Sequence, residues 1–178
     1  MSQSTLQTAQ PLHNRKSLLA KLAAWNLPVS TVDHEPLFTV AQSTNVHRDI
    51  AGAHTKNLFL KDKKGTLILI TAAHATVVEL KRLHAKIGCG RLSFASAERL
   101  MQYLGVTPGS VTPFALINDT NGSVRFFLDA HLANEDIING HPLENTATTS
   151  IARTDLMTFA EKTGHTVTVL DLEADVSV

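Results

Sequence analysis

The chain has 178 residues, 43% hydrophobic and 18% charged, so it is long enough to bury a real core and too apolar for disorder. Sixteen basic residues balance sixteen acidic ones, which excludes a global positive field for holding nucleic acid and leaves at most a local basic patch. Cys89 is the single cysteine, which excludes an internal disulfide or a multi-cysteine zinc site and fits the reducing cytoplasm.

Residues 1–12 read as a flexible polar tail with no signal-peptide core, and 13–178 as one domain. There is no run of 18 apolar residues, so no membrane span is expected. Residues 16–25 predict a helix with Leu18, Leu19, Leu22 and Trp25 near one face, stopped by Pro28. Residues 29–34 are β-like, Leu37, Phe38 and Val40 offer an apolar surface past Pro36, and a short helix is expected within 41–50. Two strands, 56–61 and 66–71, flank the turn Asp62-Lys63-Lys64-Gly65. Leu67-Ile68-Leu69-Ile70 is apolar at every position, so the second strand should be covered on both faces.

Residues 76–87 predict a helix with Val77, Leu80, His84 and Ile87 on one stripe and Gly88 past its end. A short extended piece at 92–94 precedes a helix capped by Ser96, carrying Leu100, Met101 and Leu104 and ended by Gly105. Residues 107–113 form a loop rich in proline and glycine. Residues 114–117 and 124–128 are expected to pair as a hairpin across Asn121-Gly122. A strand edge at 136–138, a β-branched strand at 146–151, a helix capped by Thr154 and a strand at 166–170 complete the chain. Strands outnumber helices and do not alternate with them, which argues for a mixed α/β fold, its sheet mostly antiparallel, with helices at the periphery.

Most familiar chemical motifs are missing. Nine histidines include no H-x-x-x-H pair, so no metal is expected. There is no G-x-S-x-G elbow, no G-x-G-x-x-G fingerprint and no P-loop, so no nucleotide cofactor is expected. Cys89, between two glycines, reads as a small filler rather than a nucleophile. His54-Thr55-Lys56-Asn57 is different, because it lies where a polar loop becomes a strand, and a strand end holds its side chains firmly.

Three segments carry a family resemblance: Gly52-Ala53-His54-Thr55-Lys56-Asn57 running on to Asp62; Arg91 to Ser96 and on through Gly105 and Gly109-Ser110-Val111-Thr112-Pro113 to Phe114; and His141-Pro142-Leu143-Glu144-Asn145-Thr146-Ala147-Thr148-Thr149. Together, and in this order, they resemble the YbaK/prolyl-tRNA synthetase-associated editing domains, in particular the free-standing branch that deacylates alanine mischarged on the proline tRNA. The resemblance implies a barrel-like mixed sheet flanked by helices, no cofactor, a tRNA acceptor end as partner, and a prolyl-tRNA synthetase as a further partner. It implies catalytic positions at Lys56, Gly109 and His141, with Asn57, Thr55, Ser110, Pro113 and Phe38 against the substrate.

The chemistry suits these residue types. An aminoacyl ester is already labile, so the enzyme has to place a water and receive the negative charge that forms. Main-chain N–H groups around Gly109 can receive that charge, each such donor being worth about 3–4 kcal/mol, and the Gly109 carbonyl can instead hold the water. Lys56 can steady the charge or pair with a phosphate or ribose oxygen, His141 can orient a ribose hydroxyl, and Asn57 can hold the α-amino group or the ester carbonyl. An apolar pocket from Val32, Leu37 and Phe38 is expected to admit alanine and exclude proline by collision. Lys61, Lys63, Lys64, Lys81, Arg82 and Lys86 are expected to form a local basic rim. Deacylation of a cysteinyl or seryl ester, or non-catalytic tRNA binding as a synthetase accessory, are the competing readings.

Overall fold

A computed structural model describes residues 11–37 and 40–173. Helix α1 (Arg15–Ala24) starts at Asn14, whose side chain accepts from the Ser17 amide while the Ser17 hydroxyl accepts from the Asn14 amide. It leads into β1 (Val29–Asp33), α2 (Val40–Asp49) and the hairpin β2 (Thr55–Lys61) and β3 (Leu67–Ala73). Next come α3 (Leu80–Ile87), β4 (Ser93–Phe94) and α4 (Ala97–Leu104), the last capped by Ser96 and closed by Gly105 in the left-handed region, as the sequence predicts. The chain ends with β5 (Val124–Asp129), β6 (Ile137–Gly140), β7 (Ala147–Ala152), α5 (Arg153–Lys162) and β8 (Val167–Leu170).

The strands form two sheets. One runs β4-β2-β3-β5-β8 and the other β1-β7-β6. The pairs β2–β3, β2–β4, β1–β7 and β6–β7 are antiparallel, whereas β3–β5 and β5–β8 are parallel. The larger sheet is covered on both faces. Phe59, Leu67, Leu69, Phe126 and Leu128 pack with α1, α4 and α5 residues, while Leu60, Ile68, Ile70 and Phe127 pack with Leu83 and Ile87 of α3. That is the two-sided burial expected of the continuous apolar run in β3.

Three expectations need correction. Residues 114–117 are not a strand. Pro113–Asn118 is a 3-10 helix with Phe114, Ala115, Leu116 and Ile117 all buried, and β5 pairs in parallel with β3 and β8 instead of closing a hairpin. Pro113 lacks an N–H for a ladder, and the Thr112 hydroxyl accepts the Phe114 amide, so the segment coils at once. An apolar run this short carries no period that separates a buried strand from a buried helical turn. Second, α3 starts at Leu80, leaving Val77 67% exposed and off the buried stripe. Third, α5 starts at Arg153 after Ala152, so Thr154 lies inside the helix and does not cap it.

The two sheets meet at Ala53. Its amide donates to the Ile137 carbonyl at 2.9 Å, and its carbonyl accepts from the Asn139 amide at 2.9 Å. Gly52 makes this approach possible. Its φ is +105°, and a Cβ there would lie 2.7 Å from Ile137 Cγ2 and 3.0 Å from Asn139 Nδ2. Gly65, at φ +86° in the β2–β3 turn, has open space around it. Gly52→Ala should therefore lower the unfolding free energy by about 2–4 kcal/mol, combining backbone strain with overpacking, against about 1–2 for Gly65→Ala. Urea unfolding of the two variants measures the difference.

Candidate active site

A cavity of about 220 Å³ opens where the first residues of β2, the ends of β3 and β6 and one side of α2 converge. Thr55, Lys56, Asn57 and His141 all line it, so four of the sequence-predicted site residues share one cleft. Leu37, Ser43, His47, His54, His74, Asn139, Gly140 and Thr148 also line it, and among the described residues no carboxylate does.

β2 supplies three of these residues because the cavity lies across its end, where both faces of the strand are in reach. Lys56 sits opposite the buried Ala72, and among the described residues its ammonium makes no hydrogen bond or ion pair. Thr55 donates its hydroxyl proton to the Asn139 carbonyl at 2.8 Å. Asn57 Oδ1 accepts from the Thr71 hydroxyl at 2.6 Å.

Asn139 braces this end of the strand. Its Nδ2 donates to the Ala51 carbonyl at 3.0 Å and its Oδ1 accepts from the Ser150 hydroxyl. With its own amide on Ala53 and its carbonyl on Thr55, every polar group of this buried residue is satisfied, and all but Oδ1 hold residues 51–55.

His141 follows Gly140 and precedes Pro142 in a tight turn where Leu143 takes φ +68°, a conformation that strains a branched side chain. Its Nδ1 lies 3.0 Å from the Ala147 carbonyl. A carbonyl only accepts, so Nδ1 carries the proton and Nε2 is left as an acceptor. Burial lowers the His141 pKa, opposed by the Ala147 hydrogen bond and reinforced by His34, which favours the neutral ring.

The opposite wall is a group of imidazoles. His47 of α2 stacks on His54 at 4.0 Å between centroids and meets His74 edge-on at 4.7 Å. His54 Nε2–H donates to the Ile50 carbonyl at 2.8 Å, tying the ring to the end of α2. Burial first, then the neighbouring imidazoles His54, His74 and His141, push the His47 pKa down to about 4. The spacing of these histidines in the sequence signals nothing. The hairpin register does, because pairing Thr55 with Ala73 sets His54 opposite His74. Among the described residues no three His, Cys, Asp or Glu side chains are arranged to hold a metal ion.

Of the other sequence-predicted residues, Leu37 alone is in the wall among the described residues. Gly109 is exposed at φ +91° in the 107–112 loop, with Asn145 Nδ2 3.8 Å from where its Cβ would be. Ser110 and Pro113 are buried in the same loop and its continuation. Neither they nor Gly109 line the cavity, but Thr112 Oγ1 lies 3.3 Å from where a Cβ of the lining residue Gly140 would be. Leu37 is in the wall, whereas Val32 is 45% exposed and outside it. Phe38 lies outside the described residues. Lys63 and Lys64 occupy the turn at the far end of the hairpin, roughly 20 Å from Lys56 at about 3.3 Å per residue, so they are no part of the cleft rim.

No helix among the described residues is long and apolar enough to cross a membrane. The aminoacyl-tRNA editing domain family matches residues 34–159, a span that holds the whole cavity wall. The chain is 32% identical over 159 residues to the prolyl-tRNA editing protein ProX of Acetoanaerobium sticklandii, covering 89% of this chain and 97% of that protein. It is 36% identical over 165 residues to prolyl-tRNA synthetase associated domain-containing protein 1 of Danio rerio, covering 92% and 90%. In fold it is similar to a crystal structure described as a candidate trans-editing enzyme for prolyl tRNA synthetase, with TM-score 0.68, 20% identity, and 92% and 99% of the two chains covered. The family match spans most of the chain and includes every residue of the cleft, and the chain therefore belongs to the aminoacyl-tRNA editing domain family, as a hydrolase of the aminoacyl-tRNA ester.

Proposed function

We propose that the chain is a cytoplasmic trans-editing deacylase that hydrolyses alanine mischarged on the proline tRNA. The observation that carries this reading is the small cleft in which Thr55, Lys56, Asn57 and His141 meet, with no carboxylate among its described lining residues. The prolyl-tRNA editing and synthetase-associated names of its relatives support the proline system and a prolyl-tRNA synthetase as partner. The unpaired Cys89 suits a reducing compartment.

In this reading the acceptor end of the tRNA enters the cleft with its ester against β2. The Lys56 ammonium, without a partner among the described residues, meets a phosphate or ribose oxygen or the carbonyl as it gains charge. His141 Nε2 accepts a proton from a ribose hydroxyl or from the attacking water. Gly109 supplies a main-chain group from the loop beside Asn145, where only glycine tolerates the backbone angle, with Ser110 and Pro113 shaping that loop. Water adds to the carbonyl, and the ester C–O bond then breaks to release the amino acid and the terminal ribose hydroxyl. A narrow wall that includes Leu37, with Phe38 beside it in sequence, excludes the proline ring by collision, whereas discrimination by a missing methylene gives only about 1–3 kcal/mol.

Glycyl-, alanyl-, seryl-, cysteinyl- and prolyl-tRNA should be compared as substrates. Alanyl and glycyl esters should be cleaved and the prolyl ester spared. Preference for the seryl or cysteinyl ester would move the assignment to that amino acid, and cleavage of none would leave a tRNA-binding accessory. Lys56→Ala should lower kcat/KM at least about a hundredfold, corresponding to roughly 3 kcal/mol of lost transition-state stabilisation.

The histidines also set a pH dependence. His47 titrates near 4 in the fold against an ordinary 6.5, so between these values the unfolded chain binds a proton that the folded one refuses. Its contribution to stability is complete above 6.5 and is lost as pH falls towards 4. The urea midpoint should fall across this window more steeply in the wild type than in His47→Gln.

A further inference from the structure

We propose that Thr71 is a positioning residue: it turns the Asn57 amide so that the NH2 group faces the cleft, and the substrate group received there is an oxygen acceptor, the ester carbonyl on its way to an oxyanion. This rests on the reading that the cleft holds an aminoacyl ester.

Asn57 and Thr71 face one another across β2 and β3. Thr71 is fully buried, and its hydroxyl lies 2.6 Å from Asn57 Oδ1. A hydroxyl has one proton to give, and among the described residues Asn57 is the partner of this one. Turning the amide over would let the hydroxyl accept from Nδ2 but would strand its own proton in the core, an unfavourable arrangement. The buried hydroxyl therefore fixes Oδ1 inward. Asn57 lines the cavity, and no described residue takes a hydrogen bond from its Nδ2. Two N–H donors are left for the substrate. An α-ammonium group carries only donors, and the neighbouring Lys56 repels it, so neither residue suits the amino end of the substrate. A carbonyl oxygen gaining charge suits both.

Thr71→Val keeps the volume and removes the hydroxyl. It should lower kcat for the cleaved ester about tenfold, equivalent to about 1.4 kcal/mol, with KM within about twofold. Thr71→Ser should restore the rate. Asn57→Asp, which offers only acceptors, should be as slow as Asn57→Ala. A Thr71→Val rate within about twofold of wild type, or a Thr71→Ser variant as slow as the valine, would overturn the proposal. A measurement on the resting wild type removes dependence on turnover and on how well the variants fold. Nuclear Overhauser contacts from the Asn57 NH2 protons to Thr71 should be weak, and strong ones would show the amide turned the other way. Should the wild type cleave no aminoacyl-tRNA, the hydrolase reading falls by itself, and the amide orientation is still decided by this measurement.

Discussion

The site depends on one junction, the meeting of the two sheets at Ala53 and Asn139. Neither sheet alone forms a cleft. The main-chain bonds between Ala53, Ile137 and Asn139 bring the start of β2 against the end of β6, and the Asn139 side chain fills the seam with two further bonds. Lys56 and His141 are 85 residues apart in sequence and line one cavity because of this contact. A seam made of buried hydrogen bonds is directional. Each group has one partner and a narrow range of geometry, so the side chains that follow Ala53 and Asn139 inherit a defined placement.

The cleft is close to electrically quiet before substrate arrives. Burial lowers the pKa of His141 and that of His47, and among the described residues no carboxylate lines the wall. Among the described residues Lys56 is the one lysine or arginine lining this polar cavity, where its field is less screened than at the surface. Such an arrangement suits an electron-rich ester near a phosphodiester. It also lets a chain of zero net charge address nucleic acid locally. Steadying the charge of a labile ester asks less of the protein than building a strong nucleophile, and the side chains present, an ammonium, two amides and a group of imidazoles, match that lighter task.

Much of this architecture is legible in the residues. The β2–β3 hairpin, the Ser96 cap and the Gly105 stop, and the two-sided burial of β3 follow from local rules of turn, cap and period. The 114–117 segment is not, because Phe-Ala-Leu-Ile has no alternation and Pro113 tips it into a 3-10 helix. The cluster of His47, His54 and His74 is also hidden, since only the register of a folded hairpin and the docking of α2 bring the rings together.

By itself, then, the sequence determined the strand and helix segments with local signals and the family, and it singled out Lys56, Asn57 and His141 as candidates. Tertiary structure decided which of them share a cavity, which tautomer His141 holds, and that Lys63 and Lys64 stand far from the chemistry. The division has a physical reason. Turns, caps and periodicity are written within a few residues of chain, whereas a site assembled across two sheets depends on contacts between segments that sequence distance does not relate.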